Sequence, residues 1–177
     1  MLRPRTIARA AEIECRAQIE RLQNAGVHLT HADSHQHLHA FPPAFRCAVK
    51  LCREYGIPAL RRPRERGAAN ARRADALALG AALAFARAVA RPASLRHNDH
   101  FLGFRRAGAY GLAELRADLS ALRHGLTELA LHPSKEDGMP YPRLRGNRER
   151  LALLDASFRD LITQSGVELT TWEEATR

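Results

Sequence analysis

The chain has 177 residues, 45% of them hydrophobic, and a formal net charge of +9 at neutral pH. That length and apolar content fit one folded domain and exclude global disorder. No apolar run is long enough for a transmembrane helix, and no apolar stretch of the signal-peptide kind follows the basic residues at positions 3 and 5, so a cytoplasmic protein is expected. The charge is carried almost wholly by arginines scattered along the chain, with Lys50 and Lys135 as the only lysines. Scattered arginines without interleaved aromatics argue against nucleic acid as the partner.

The first predicted helix carries Ile7, Ala11, Cys15, Ile19 and Leu22, an apolar stripe at spacings of four and three. Gly26 stops it, and Val27 to Thr30 reads as a strand; if that strand continues, period-two alternation puts His31, Asp33, His35, His37 and His39 on one face. Pro42 and Pro43 open a helix that runs to Tyr55. Gly56 follows, then a strand over Ile57 to Leu60 that ends in Arg61 and Arg62. An alanine-rich helix spans Ala68 to Ala90, and Ser94 to Tyr110 reads as irregular. Gly125 separates another helix from the strand Leu126 to Leu131, which ends in His132 and Pro133. A loop follows to Gly146. Leu151, Leu154, Phe158 and Leu161 mark a last helical stripe, and Gly166 introduces a strand over Val167 to Thr170. Three cysteines without CxxC spacing, Cys15, Cys47 and Cys52, read as reduced and structural.

Helices alternating with short apolar runs predict a parallel α/β sheet or barrel. Ligands in such sheets sit at the carboxyl ends of the strands. The positions to weigh are therefore Asp33 to His39, Arg61 and Arg62, His132, and Thr171 to Glu173. Imidazoles beside a carboxylate suit a divalent metal, with Asp33 able to orient a ligating ring. His132, held at a strand exit by Pro133, suits a general acid, and Glu128 either orients it or pairs with an arginine. An arginine after the second strand suits a carbonyl or a carboxylate.

The run Thr30-His31-Ala32-Asp33-Ser34-His35-Gln36-His37-Leu38-His39, with Pro42 after it, resembles the signature of the YdjC-like deacetylases. That family includes chitooligosaccharide deacetylases and a hopanoid-biosynthesis-associated protein. Arg61-Arg62-Pro63-Arg64, Asp99-His100-Phe101-Leu102-Gly103, Glu128 to Pro133, Asn147-Arg148-Glu149 and Gly166 to Thr170 agree in order. The resemblance implies a deformed TIM-barrel-like (β/α) fold and a metal-dependent hydrolase that removes N-acetyl groups from an amino sugar or glycoconjugate. It implies a divalent metal, Mg or Zn, on His35 and His37. It implies catalytic roles for His132, Asp33 and Arg62, and substrate contacts from His39, Arg61 and Asp99. Asp33, His35 and His132 are expected around one pocket. Family members carry paired aspartates and a further metal-binding histidine before the region that aligns with Met1. Residues 1–177 are therefore expected to be one domain forming the C-terminal two-thirds of the family's own, with an incomplete metal site. Uncovered strand edges would favour self-association, as a homodimer. The alternatives are a non-catalytic metal- or anion-binding module and a basic nucleic-acid binder.

Overall fold

The computed structural model describes residues 4–65, 73–90, 95–138 and 145–176. They fall into two compact units. One comprises residues 1–63, 78–97 and 171–177, the other residues 64–77 and 98–170. The architecture is mixed α/β with short parallel pairings.

In the first unit, α1 (Pro4–Asn24) is followed by an extended segment, a 3₁₀ turn (His35–Ala40) and α2 (Pro42–Glu54). Pro42 and Pro43 occupy the first turn of α2, where the missing proline N–H has no intrahelical partner to lose. Phe45, Val49 and Cys52, spaced by four and three, turn one face of α2 inward with Leu51 beside it, each at most 3% exposed. Ile57, Ala59, Leu60, Leu79 and Leu83 complete this core. Leu79 and Leu83 lie on α3 (Arg73–Ala90), and positions 68–72 of the predicted alanine-rich helix lie outside the described residues.

The expected strands survive as parallel bridges, Ala32 with Leu60 and Ala59 with Arg96. The Ala32 amide donates to the Ala59 carbonyl and the Arg61 amide to the Ala32 carbonyl, each at 3.0 Å. The Leu60 amide and Arg96 carbonyl extend the arrangement, also at 3.0 Å. Parallel pairing follows from the helical connection between each pair of segments.

Two expectations change here. The strand does not run on to His39, because the chain leaves the extended conformation at His35 and coils into the 3₁₀ turn. The stripe on α1 is not a core face, since Ala11, Cys15 and Leu22 are exposed. Instead α1 is tied to α2 by ions: Arg16 donates to both Glu54 oxygens, at 2.5 and 2.8 Å, and Lys50 to Glu12 at 2.5 Å. The bond from Lys50 holds the Glu12 carboxyl below its ordinary range, and the bond from Arg16 does the same for Glu54. All three cysteines are free, with Cys52 buried.

In the second unit, β1 (His100–Leu102) pairs in parallel with β2 (Thr127–Leu129), His100 opposite Thr127 and Leu102 opposite Leu129. The crossover contains α4 (Leu112–Ser120). β1 lies inside the segment expected to be irregular. It is only three residues long, and its polar flanks Asn98 and Asp99 hide it in sequence. Gly103 then takes a positive φ of 112° against the Ala130 backbone, where a β-carbon would stand 2.2 Å from the carbonyl oxygen. Tyr110, Leu115, Ala152 and Leu161 form the core, flanked by Leu112, Leu119, Leu129, Leu131 and Phe158.

The predicted last stripe breaks into α5 (Gly146–Leu154) and α6 (Ala156–Gln164). Asp155 is extended between them and accepts the Ser157 amide at 2.8 Å, capping α6. The break turns Leu151 and Leu154 outward, 54% and 70% exposed. Residues 167–170 form no strand in the described structure, and Leu169 is exposed. The four junction glycines, 26, 56, 125 and 166, all adopt positive φ as expected. In the first unit again, α7 (Trp172–Ala175) ends the described chain. Among the described residues no helix is long and apolar enough to cross a membrane.

Candidate active site

In the first unit, the parallel bridge delivers Asp33 and Arg61 one residue beyond their paired partners, at the carboxyl ends of their segments. The Arg61 guanidinium forms an ion pair with the Asp33 carboxylate. Arg61 is largely enclosed, its side chain 17% exposed, whereas Asp33 keeps 40%. The guanidinium thus works as a fixed support and the carboxylate remains open to an incoming molecule.

Beneath the pair lies His39, 2% exposed. Its Nε2 stands 2.9 Å from the Arg61 carbonyl, which can only accept, so Nε2 carries the proton in this contact. Its Nδ1 lies 2.7 Å from the Ser34 hydroxyl, and that oxygen also accepts the His39 amide at 2.9 Å. These bonds close the 3₁₀ turn between Ser34 and His39. Inside it, Gln36 and His37 sit at positive φ, 52° and 57°. Such backbone costs about 1–3 kcal/mol per residue away from glycine and persists only where the surroundings enforce it. The strain therefore marks this turn as a built feature. His37 meets His39 edge-on, ring centroids 6.4 Å apart, and His35 opens the turn with its side chain exposed.

His31 stacks on Trp172 with centroids 5.0 Å apart and planes 16° from parallel, and its Nδ1 lies 3.2 Å from the Thr30 hydroxyl. Arg62 is half-buried and, with Phe45, Leu83, Arg96 and His97, lines a cavity of about 10 Å³. The first unit thus brings Asp33, Arg61, Ser34 and His39 into one bonded group. Among the described residues no three His, Cys, Asp or Glu side chains are grouped so as to hold a metal ion. His35 and His37 alone do not complete such a site.

In the second unit, His132 is exposed just beyond β2. Its amide donates to Glu149 Oε2 at 2.5 Å, and the Gly108 amide donates to Glu149 Oε1 at 2.9 Å. Glu149 is 1% exposed and sits in the first turn of α5, where the helix dipole favours a negative charge. Gly146 lets the His132 loop approach, since a β-carbon there would stand 2.1 Å from Ser134 Oγ and 2.7 Å from the His132 carbonyl oxygen. The Ser134 amide donates to the Gly146 carbonyl at 3.1 Å. Glu149 thus holds the backbone of His132.

Asp99 has a backbone-anchoring contact: its carboxylate accepts the Leu126 amide at 2.9 Å and holds the turn into β2. The neighbouring Asn98, fully buried, donates to the His100 carbonyl at 2.8 Å. Sequence reasoning did not single out Ser34, Asn98 or Glu149 as functional. For Glu149 the available signal was an acidic residue opening a helix soon after the His132-Pro133 turn.

Comparison with known proteins bears on this arrangement. A carbohydrate deacetylase of Brevibacillus brevis (strain 47) is 49% identical over 47 residues, 27% of this chain and 19% of that protein. A carbohydrate deacetylase of Oceanobacillus iheyensis is 45% identical over 47 residues, 27% of this chain and 20% of that one. The crystal structure of an Enterococcus faecalis V583 protein, described provisionally as a cellobiose-phosphate cleavage protein, superposes with a TM-score of 0.64 at 22% identity. The superposition takes in 96% of this chain and 62% of that one, so the chain spans less than two thirds of the solved protein it matches. At that identity the likeness concerns the fold. The model of the YdjC-like protein family matches residues 2–164. Since that match takes in both compact units, the chain belongs to the YdjC-like family.

Proposed function

We propose that this chain acts in the metal-dependent removal of N-acetyl groups from an amino sugar or glycoconjugate, as a deacetylase of the chitooligosaccharide- and hopanoid-associated type. The observation that carries the reading is the Asp33–Arg61 pair at the carboxyl ends of parallel-bridged segments, in a family with carbohydrate deacetylases as relatives. Amide hydrolysis needs a base to activate water, a cation to stabilise the oxyanion, and an acid to protonate the departing amine. Asp33, supported but open, suits the first task. Arg62 is assigned to the acetyl oxygen and His132 to the leaving amine. Arg61 and His39 are better suited to holding Asp33 than to touching sugar, because their bonds run to Asp33, Ser34 and each other. Asp99 is assigned to the substrate side only through the loop it anchors.

A divalent Mg or Zn ion would polarise the acetyl carbonyl when bound. His35 and His37 are its candidate ligands, but the described residues lack a third donor beside them, so no step is routed through the metal. The competing reading is a non-catalytic metal- or anion-binding module that uses the histidines and arginines of the chain. The deformed barrel, a homodimer and a cytoplasmic location belong to this proposal as well, the first supported by the parallel pairings in each unit.

The test is acetate release from N-acetylated chito-oligosaccharides, with Mg or Zn supplied. Release that drops about 10²–10⁴-fold in His132→Ala is the expected result for a lost general acid. Metal binding by calorimetry without any acetate would select the binding module.

A further inference from the structure

We propose that Trp172 is a positioning residue for the Asp33–Arg61 pair, acting through His31. The proposal rests on the functional reading above and extends it to a segment beyond the stretch matched by the family model, which ends at residue 164.

The indole lies nearly parallel to the His31 imidazole at 5.0 Å. His31 stands two residues before Asp33. Between them, Ala32 is fixed through both its amide and its carbonyl, to Ala59 and Arg61, at 3.0 Å each. Side chains two apart along an extended segment share a face, so a clamp on the His31 ring limits the swing of Asp33 toward Arg61. The clamp is itself held. A four-residue helix has no stability of its own, yet α7 is closed at both ends. Thr171 Oγ1 accepts the Glu174 amide at 3.2 Å while Glu174 Oε2 accepts the Thr171 amide at 3.0 Å, a capping box. At the other end the Thr176 hydroxyl donates to the Trp172 carbonyl at 2.8 Å. The sequence thus spends a capped turn on presenting one indole, and this is the chain's one tryptophan.

The experiment is NMR on the full chain as wild type, Trp172→Ala and Trp172→Phe, with the acetate assay run on the same samples. The His31 ring protons are expected upfield in the wild type, from the indole ring current, and back at ordinary positions in Trp172→Ala. Amide exchange at Ala32 and Arg61 is expected to quicken about three- to tenfold in Trp172→Ala, in line with loss of one aromatic pair. Trp172→Phe should restore most of both effects. The Ala130 amide, bonded to Leu102 in the other unit, controls for general unfolding. A wild type without the upfield shift overturns the proposal. So does a Trp172→Ala chain whose Arg61 amide exchanges as before. If acetate is released, kcat should fall in Trp172→Ala with KM little changed, and equal kcat in the two chains would overturn the positioning role while leaving the hydrolase reading intact. The NMR pattern in a chain that releases no acetate would uphold the clamp and remove the hydrolase reading.

Discussion

The His132 amide donates to Glu149 Oε2 at 2.5 Å, and the other oxygen of that buried carboxylate takes the Gly108 amide at 2.9 Å. One side chain thereby sets the position of two loops. Removing it in Glu149→Ala leaves two amides without their acceptor, at roughly 1–3 kcal/mol for each that stays buried. Chemical denaturation should show a loss of about 2–4 kcal/mol. Glu149→Gln should fall between, because an amide group offers one acceptor oxygen where the carboxylate offers two. Equal stability of Glu149→Ala and wild type would remove Glu149 from its organising place.

Gly103→Ala tests the close approach of the loop after β1 to Ala130. The substitution meets both a positive φ and a β-carbon 2.2 Å from a carbonyl oxygen. Strain alone costs about 1–3 kcal/mol, and relief of the clash must displace the end of β2. A melting temperature within a degree of wild type would contradict this packing.

How much of this was legible in sequence depends on what kind of force fixes each part. The turns were, because Gly26, Gly56, Gly125 and Gly166 signal left-handed backbone wherever they occur. α2 was, because prolines open it and its apolar residues keep helical spacing. How far the strand continues between His31 and His39 is not legible in sequence. Alternation describes a segment whose backbone stays extended, and here a non-local bond from His39 to the Arg61 carbonyl bends it away. The end of the chain was misread for a local reason: Asp155 offers α6 a cap that outweighs continuing the apolar stripe. Asp33 and Arg61 were singled out separately. Their pairing was not, since it depends on the register of two segments nearly thirty residues apart.

The cysteines should differ in reactivity. Burial pushes the Cys52 thiol up to about 11, and burial also raises Cys47, whereas Cys15 is exposed. Alkylation of the native chain near pH 7.5, followed by mass spectrometry, should mark Cys15 first and Cys52 only on unfolding. Early labelling of Cys52 would contradict its place in the core.

Acid should loosen the α5–α6 junction. Hydrogen bonds from the Ser157 side chain and backbone hold the Asp155 carboxyl below its ordinary value. A depressed carboxyl stabilises the fold above its unfolded pKa, about 3.9 for Asp, and the contribution disappears as pH falls through the folded value. The melting-temperature gap between wild type and Asp155→Ala should therefore be full at pH 7 and close as the solution is taken below about pH 4. A gap that stays constant down to pH 3 would show that the charge at this cap does not matter.

The proposed deacetylation assigns chemistry both to Asp33, paired with Arg61, and to His132, whose backbone amide donates to Glu149. Its most direct measurement is acetate released from N-acetylated chito-oligosaccharides by wild type, Asp33→Asn, His132→Ala and the double variant. Release by the wild type is expected, with a loss of about 10²–10⁴-fold in each single variant and a double variant scarcely worse than either. Wild-type release no greater than the protein-free blank, or single losses that simply multiply in the double variant, would contradict it.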